Sequence, residues 1–192
     1  DLISFLAQGE ATKHMAPNEF LGNVLLVIVG GNDTTRNSIT AGVQALNQFP
    51  EQYDKLKGNI DLIPNMVSEI VRWQSPVAHM CRTAMDDVEV GGKTIRKWDK
   101  VAIWYLSGNR DAAHFADADR LVIDRANVRQ HLSFGYGIHS CLGNRLAEMQ
   151  LTILWQEIMQ RFAHVEVVGE AKYLNSSFIR GITELPVRVH DR

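Results

Sequence analysis

Cysteine is nearly absent: Cys81 and Cys141 are the only two in 192 residues. Two such residues without CxxC spacing argue against a disulfide-stapled scaffold and point to a reduced, cytoplasmic setting. Long apolar runs are also missing. The longest, Val24 to Val29, falls well short of the roughly 20 residues a bilayer span requires even when extended to Leu21 to Gly31, so a buried helix and no transmembrane segment are expected. Neither sign of charge dominates, with 20 Lys and Arg against 22 Asp and Glu. No basic block or basic-aromatic alternation occurs, so no nucleic acid partner is expected and a small molecule or a protein is the default. Internal repeats, low-complexity linkers and a signal-peptide pattern are lacking, and the opening Asp1-Leu2-Ile3 suggests that the start of the protein lies elsewhere. The composition that remains, 45% hydrophobic and 22% charged, is that of a globular domain able to bury a core.

Apolar rhythm predicts a short helix over residues 1 to 14 and a long one from Pro17 to about Phe49, because proline suits a first helical turn. The Gly30-Gly31-Asn32-Asp33-Thr34-Thr35 stretch is rich in poor helix formers and should kink or open that helix. Glu51 to Leu56 and Ile63 to Trp73 predict two more helices, the second ending before Pro76. Strand texture follows in Val88 to Val90, the Gly91-Gly92 turn, Thr94-Ile95 and Val101 to Leu106. Asn109 to Gln130 lacks periodicity and reads as an ordered meander. Leu142 to Phe162 is strongly helical, and Val165 to Val168 and Leu185 to Val189 predict closing strands.

The chemistry concentrates around Cys141. In Phe134-Gly135-Tyr136-Gly137-Ile138-His139-Ser140-Cys141-Leu142-Gly143, three glycines permit tight turns and close approach of a flat ligand. A sulfur ahead of a helix meets free N–H groups and the positive end of the dipole, which favour a thiolate. Two other readings compete: a structural cysteine beside a turn, and a zinc site using His139 and Cys141, for which no further ligand pair completes a set of four. The pattern Phe-Gly-x-Gly-x-His-x-Cys-x-Gly resembles the haem-thiolate signature of the cytochromes P450. That resemblance implies haem b as cofactor and Cys141 as axial ligand of the iron, where a thiolate favours O–O cleavage. It places Phe134, Gly135 and Gly143 at the cofactor.

Three upstream features extend the resemblance. Glu69-Ile70-Val71-Arg72 resembles the family's Glu-x-x-Arg, with an i,i+3 spacing that sets both charges on one helical face; Arg120 is expected as its third partner in a structural triad. Gly30 to Thr35 resembles the oxygen-activating segment, in which small glycines leave room for dioxygen and Asp33 and Thr34 form a catalytic proton relay. A helix cap is the other reading of those polar residues. Arg82 and His139 resemble donors to the haem propionates, with His79 a further candidate, since anionic propionates favour charge-assisted hydrogen bonds. His139 also suits a turn, and Cys81 has no assigned role.

The resemblance implies a mainly α fold with small β-sheets: the C-terminal half of the P450 fold, built from a long central helix, the Glu-x-x-Arg helix, a meander, the cysteine loop and a proximal helix. Residues 1–192 are then one haem-binding part of a single domain whose N-terminal half is absent. Longer stretches such as Ile28 to Ser38, Ser68 to Gln74 and Gln130 to Gly135 resemble the bacterial soluble alkane hydroxylases. This implies terminal hydroxylation of medium-chain alkanes or similar aliphatic chains, using dioxygen and electrons from a ferredoxin and its NADH-dependent reductase. Leu26, Val77, Ala78, Met80, Phe178 and Ile179 would supply an apolar substrate pocket, or simply core. Arg125, Arg129 and Arg145 would form a basic patch for the ferredoxin, or ordinary surface. A peroxide-driven peroxygenase and a non-catalytic haem sensor or inactive fragment are the alternative functions.

Overall fold

The computed structural model describes all 192 residues. Six helices carry the fold: α1 (Leu2–Gln8), α2 (Pro17–Gln48), α3 (Pro50–Gly58), α4 (Ile63–Gln74), α5 (Tyr105–Asn109) and α6 (Asn144–Arg161). Eight strands form four antiparallel pairs. Strand β1 (His79–Thr83) pairs with β4 (Lys100–Trp104), β2 (Val88–Val90) with β3 (Lys93–Ile95), β5 (Phe162–Val167) with β8 (Val187–Asp191), and β6 (Lys172–Tyr173) with β7 (Ile182–Glu184). This is the expected mainly α fold with small sheets. No helix is long and apolar enough to cross a membrane.

The core lies where α2, α4 and α6 cross, and gathers Leu46, Ile70, Leu151 and Trp155, with Leu56 from α3. Gly42 sets the approach: a Cβ there would meet Trp155 Cζ2 at 2.8 Å and Ile70 Cδ1 at 2.9 Å, so only glycine lets the three helices close. Two buried or half-buried amides tie the late strands to α2. Asn47 donates to the Val165 carbonyl and accepts from Val167 N–H, while Asn37 Oδ1 accepts from Ile182 N–H.

Helix α2 differs from expectation at its glycines, where it runs unbroken. Its C-terminal half is anchored by buried Asn37, Ser38, Ala41, Gly42, Ala45 and Leu46, and helix propagation through Gly30 and Gly31 needs only one hydrogen bond per residue once that half is fixed. The apolar stretch Val24 to Val29 is largely exposed rather than buried; Leu25, Leu26, Ile28 and Val29 face outward. The strand expected over Val101 to Leu106 stops at Trp104, and Tyr105 begins α5.

The meander is organised by one buried carboxylate. Glu69 is fully buried and takes Arg72 Nε at 2.7 Å, Arg72 Nη2 at 2.9 Å and Val122 N–H at 2.9 Å. Arg125 Nε completes its shell at 3.1 and 3.2 Å. The third partner is therefore Arg125, not Arg120. Burial explains the exchange: Leu121, Ile123 and Arg125 turn inward, whereas Arg120 is exposed and its guanidinium meets Glu51 at 2.6 Å. Only the Arg120 carbonyl joins the cluster, accepting from Arg72 Nη2 at 2.9 Å. Two guanidiniums on one carboxylate leave an excess positive charge, which the carbonyls of Asn109, Ala116, Asp117, Ala118 and Arg120 solvate.

Removing Arg125 leaves Glu69 paired with Arg72 but takes one cation from a fully buried carboxylate and leaves the Ala116 and Asp117 carbonyls without that donor. Arg125→Ala should therefore cost about 3–5 kcal/mol, or leave no folded protein, whereas Arg120→Ala, breaking an exposed pair, should cost less than about 1 kcal/mol. Urea denaturation of the two variants tests this, and equal losses would return Arg120 to the triad.

Candidate haem-thiolate site

Cys141 stands three residues before α6, on a loop whose shape is set by glycines with positive φ: Gly135 at 69° and Gly137 at 67°. A Cβ on Gly135 would meet the His139 carbonyl at 3.1 Å and Tyr105 Oη at 3.4 Å, so conformation and space both demand glycine. The Cys141 N–H donates to the Phe134 carbonyl at 2.8 Å and closes the loop across its base. Its thiol is free and exposed. Around it the loop turns apolar side chains outward, with Tyr136, Ile138 and Leu142 87%, 98% and 97% exposed, and Gly143 has open space at its Cα. A soft ligand on a glycine-bent base, flanked by outward apolar groups, fits a flat apolar cofactor. No three His, Cys, Asp or Glu side chains come together as a metal set, so zinc at His139 and Cys141 would lack companions.

Phe134 packs against the helical core and tilts on His131, with ring centroids 5.3 Å apart. His139 ends a 3-10 turn, Gly137–His139, and is exposed. Arg82 lies half-buried on β1, where its Nη1 donates to the Cys81 carbonyl at 3.0 Å. His79, also on β1, stacks on Trp104 at 4.5 Å and meets Phe178 edge-on at 6.1 Å. Its Nδ1 is buried and without a partner, an atom to which a carboxylate would be complementary.

The pocket residues divide. Val77 bridges to Ile179, and the Ala78 N–H donates to the Phe178 carbonyl, so these four and His79 share one wall; Met80 continues it into β1, opposite Ile103. Ala78 is buried and belongs to the core of that wall. Leu26 is 68% exposed on α2. On the same helix, Thr34 Oγ1 donates to the Gly30 carbonyl at 2.8 Å and the Asp33 carboxylate pairs with Arg36 at 3.0 Å. Gly30 and Gly31 have open space beside them.

A cleft of about 890 Å³ lies beside the cysteine loop rather than at that wall, lined in part by His131, Phe134, Gly135, Tyr136, Ser140 and Arg145. Arg129 and Arg145 border it, and Arg129 approaches Glu148 at 3.7 Å. Arg125 is absent from any surface patch because it is buried against Glu69. The expected basic patch is thereby reduced to two arginines.

Comparison with known proteins gives the same picture. The cytochrome P450 family model matches residues 1–183, and the chain belongs to that family of haem proteins. The chain is 44% identical over 188 residues to linalool 8-monooxygenase of Pseudomonas putida, covering 97% of the chain and 46% of that protein. It is 42% identical over 190 residues to a methyl-branched lipid omega-hydroxylase of Mycobacterium bovis, with 97% and 44% coverage. The solved structure of cytochrome P450-153 from Novosphingobium aromaticivorans superposes with a TM-score of 0.95 at 47% identity, over 99% of this chain and 48% of that one. The chain thus spans about half the length of the curated relatives it matches.

His131 supplies an acid-sensitive contact at the root of the loop. Its Nδ1 accepts the Ser133 N–H at 3.2 Å, which requires a neutral nitrogen. Burial, helped by the positive charges of Arg72 and Arg129, pushes its pKa down from the ordinary 6.5 to about 4. The unfolded chain takes up this proton near 6.5 and the folded one only near 4, so the contribution is whole above about 6.5 and lost on acidification. Between those values stability should fall by on the order of 3 kcal/mol. Denaturation at several pH values should show His131→Gln with a shallower acid slope, and an unchanged slope would refute the assignment.

Proposed function

We propose that this chain is the haem-binding part of a single-domain P450 monooxygenase that hydroxylates aliphatic chains, with Cys141 as the axial ligand. One observation carries the reading: an exposed thiol on a doubly glycine-bent loop, closed by Cys141 N–H to the Phe134 carbonyl, directly ahead of α6. When bound, the haem supplies activation of dioxygen for insertion into a C–H bond. Arg82, His139 and His79 would hold its propionates.

Asp33 and Thr34 serve proton delivery. Thr34 Oγ1 gives its hydrogen to the Gly30 carbonyl, so its lone pairs remain to accept from a water, and the glycines leave space for that water. Asp33 is held by Arg36 in a partly exposed pair that costs little to break, so its carboxyl can exchange a proton with solvent and pass it inward. Asp33 and Thr34 favour use of dioxygen over a peroxide-driven reaction, which needs no such relay.

The substrate reading rests on the wall of Val77, Met80, Phe178 and Ile179, backed by buried Ala78, with Leu26 from α2, surfaces that offer shape and few hydrogen bonds. An omega-hydroxylase among the relatives supports attack at a chain end. Electrons would come from a ferredoxin and an NADH-dependent reductase, with acidic ferredoxin residues docking on Arg129 and Arg145. Leu2, Ile3 and Phe5 on α1 and Leu21, Leu25 and Leu26 on α2 are each exposed, apolar area that contact with a further segment would take out of water. Residues 1–192 alone should therefore fail at coupled turnover.

The carbon monoxide difference spectrum of reduced, haem-loaded protein should carry a thiolate-type band that Cys141→His abolishes; a wild-type protein without that band would refute the ligand. In a full-length protein carrying this chain, with octane, NADH and redox partners, Asp33→Asn should slow hydroxylation by roughly 100-fold or more. Full activity in that variant would remove Asp33 from the relay, and coupled octane hydroxylation by residues 1–192 alone would refute their predicted incompetence.

A further inference from the structure

Asn109 is the last residue of α5 and is fully buried, yet it lies in a stretch whose sequence has no periodicity to mark it. Its side chain uses all its principal hydrogen-bonding directions. Nδ2 donates to Ser75 Oγ and to Ser133 Oγ, each at 2.8 Å, and Oδ1 accepts the Leu132 N–H at 2.6 Å. Its carbonyl accepts Arg72 Nη1 at 2.5 Å. The two serine hydroxyls spend their own hydrogens on α4, Ser75 on the Arg72 carbonyl and Ser133 on the Val71 carbonyl, so each must receive a hydrogen bond from Asn109. The amide is thereby fixed in one orientation, with its oxygen toward Leu132.

Those contacts join two parts of the molecule. On one side are Ser75, the left-handed residue (φ 46°) that ends α4, and the guanidinium of Arg72. On the other are Leu132 and Ser133, immediately before Phe134. From there the hydrogen bonds continue: Gly135 N–H donates to the Leu132 carbonyl, and Cys141 N–H to the Phe134 carbonyl, both at 2.8 Å. The short helix also presses on the loop root, since a Cβ on Gly108 would meet Leu132 Cδ1 at 2.7 Å and one on Gly135 would meet Tyr105 Oη at 3.4 Å.

We propose that Asn109 is a positioning residue for the thiolate: it sets the height and tilt of the cysteine loop by clamping Leu132 and Ser133 to the end of α4. This rests on Cys141 being the haem ligand. Leucine at 109 would leave the Leu132 N–H and both serine oxygens unpaired in a buried place, and the loop root would relax toward water. Aspartate would preserve the acceptor for Leu132 but turn a second oxygen toward hydroxyls with no hydrogen to give.

The test uses haem-loaded protein and reads the carbon monoxide difference spectrum and the reduction potential alongside the thermal midpoint. Asn109→Leu and Asn109→Asp should lose part of the thiolate-type band and shift the potential at unchanged haem content; Ser133→Ala, which removes the hydrogen bonds to Asn109 and to the Val71 carbonyl but leaves Asn109 on Ser75 and Leu132, should do so to a smaller degree. Leu56→Ala, a core deletion in α3, controls for stability and should lower the midpoint without moving the spectrum. Asn109 variants with a lowered midpoint but a wild-type band and potential would overturn the proposal. If they fail to fold, an unaltered spectrum and potential in Ser133→Ala would do the same. A wild-type protein with no thiolate-type band would instead overturn the ligand assignment, and this proposal with it.

Discussion

The Glu69 carboxylate has no access to water, and it is tolerated there because two guanidiniums and a backbone N–H fill its coordination. Charges buried this way contribute less net stability than their short distances suggest, because each must first be stripped of water. Their structural consequence is larger. A carboxylate shared by Arg72 and Arg125 leaves one positive charge in excess, and only correctly aimed carbonyls can solvate it. Asn109 at the end of α5 and four residues between Ala116 and Arg120 supply them, so a stretch with no helix or strand of its own is held in one conformation from inside. Phe115 closes the assembly, lying beneath both guanidiniums at 5.2 and 5.8 Å.

That fixed meander is what the cysteine loop leans on. The loop makes few contacts of its own: Tyr136, Ile138 and Leu142 point outward, and two of its residues need positive φ. Glycine-rich segments gain closeness of approach at the expense of rigidity, so the position of Cys141 must be imposed by neighbours. Helix α6 fixes the far end through Leu151 and Trp155, packed against Gly42 and α4. The near end is held through Leu132 and Ser133. Arg72 therefore acts on both sides, since the same guanidinium that pairs with Glu69 also holds the Asn109 carbonyl.

Much of this was legible in the residues. The helices over Pro17–Gln48, Ile63–Gln74 and Asn144–Arg161 follow the apolar rhythm, and the Gly91-Gly92 hairpin follows its turn chemistry. The glycine-cysteine loop marked itself because glycine spacing is a backbone requirement visible in the letters. Strand β1 escaped because His79 to Thr83 alternates weakly and owes its form to pairing with β4, a nonlocal partner. The third member of the buried triad escaped for a related reason. Arg120 and Arg125 are equally basic, and only the inward turn of Leu121, Ile123 and Arg125 separates them. The alternation of Leu121, Ile123 and Arg125 was the available signal, and it is short. Asn109 carried none, because an asparagine's partners are chosen entirely by tertiary structure.

The two faces of the site differ in how firmly they are held, and the difference suits the chemistry proposed for each. On the cysteine side, the buried amide and charge network allows little movement, as a ligand that must hold iron at one distance requires. On the α2 side, the residues proposed as a relay sit where the helix leaves the core: Asn37 and Ser38 are buried, while Asp33 and Arg36 are in contact with solvent. An ion pair so exposed contributes about 1 kcal/mol or less, so Asp33 can leave Arg36 at ambient thermal energy. Thr34 is more constrained, because its hydroxyl is tied one turn back to Gly30. For the relay proposed at Asp33 and Thr34, a side chain that moves beside one that stays would suit carrying protons past a fixed acceptor, whereas two rigid groups would only hold a water in place.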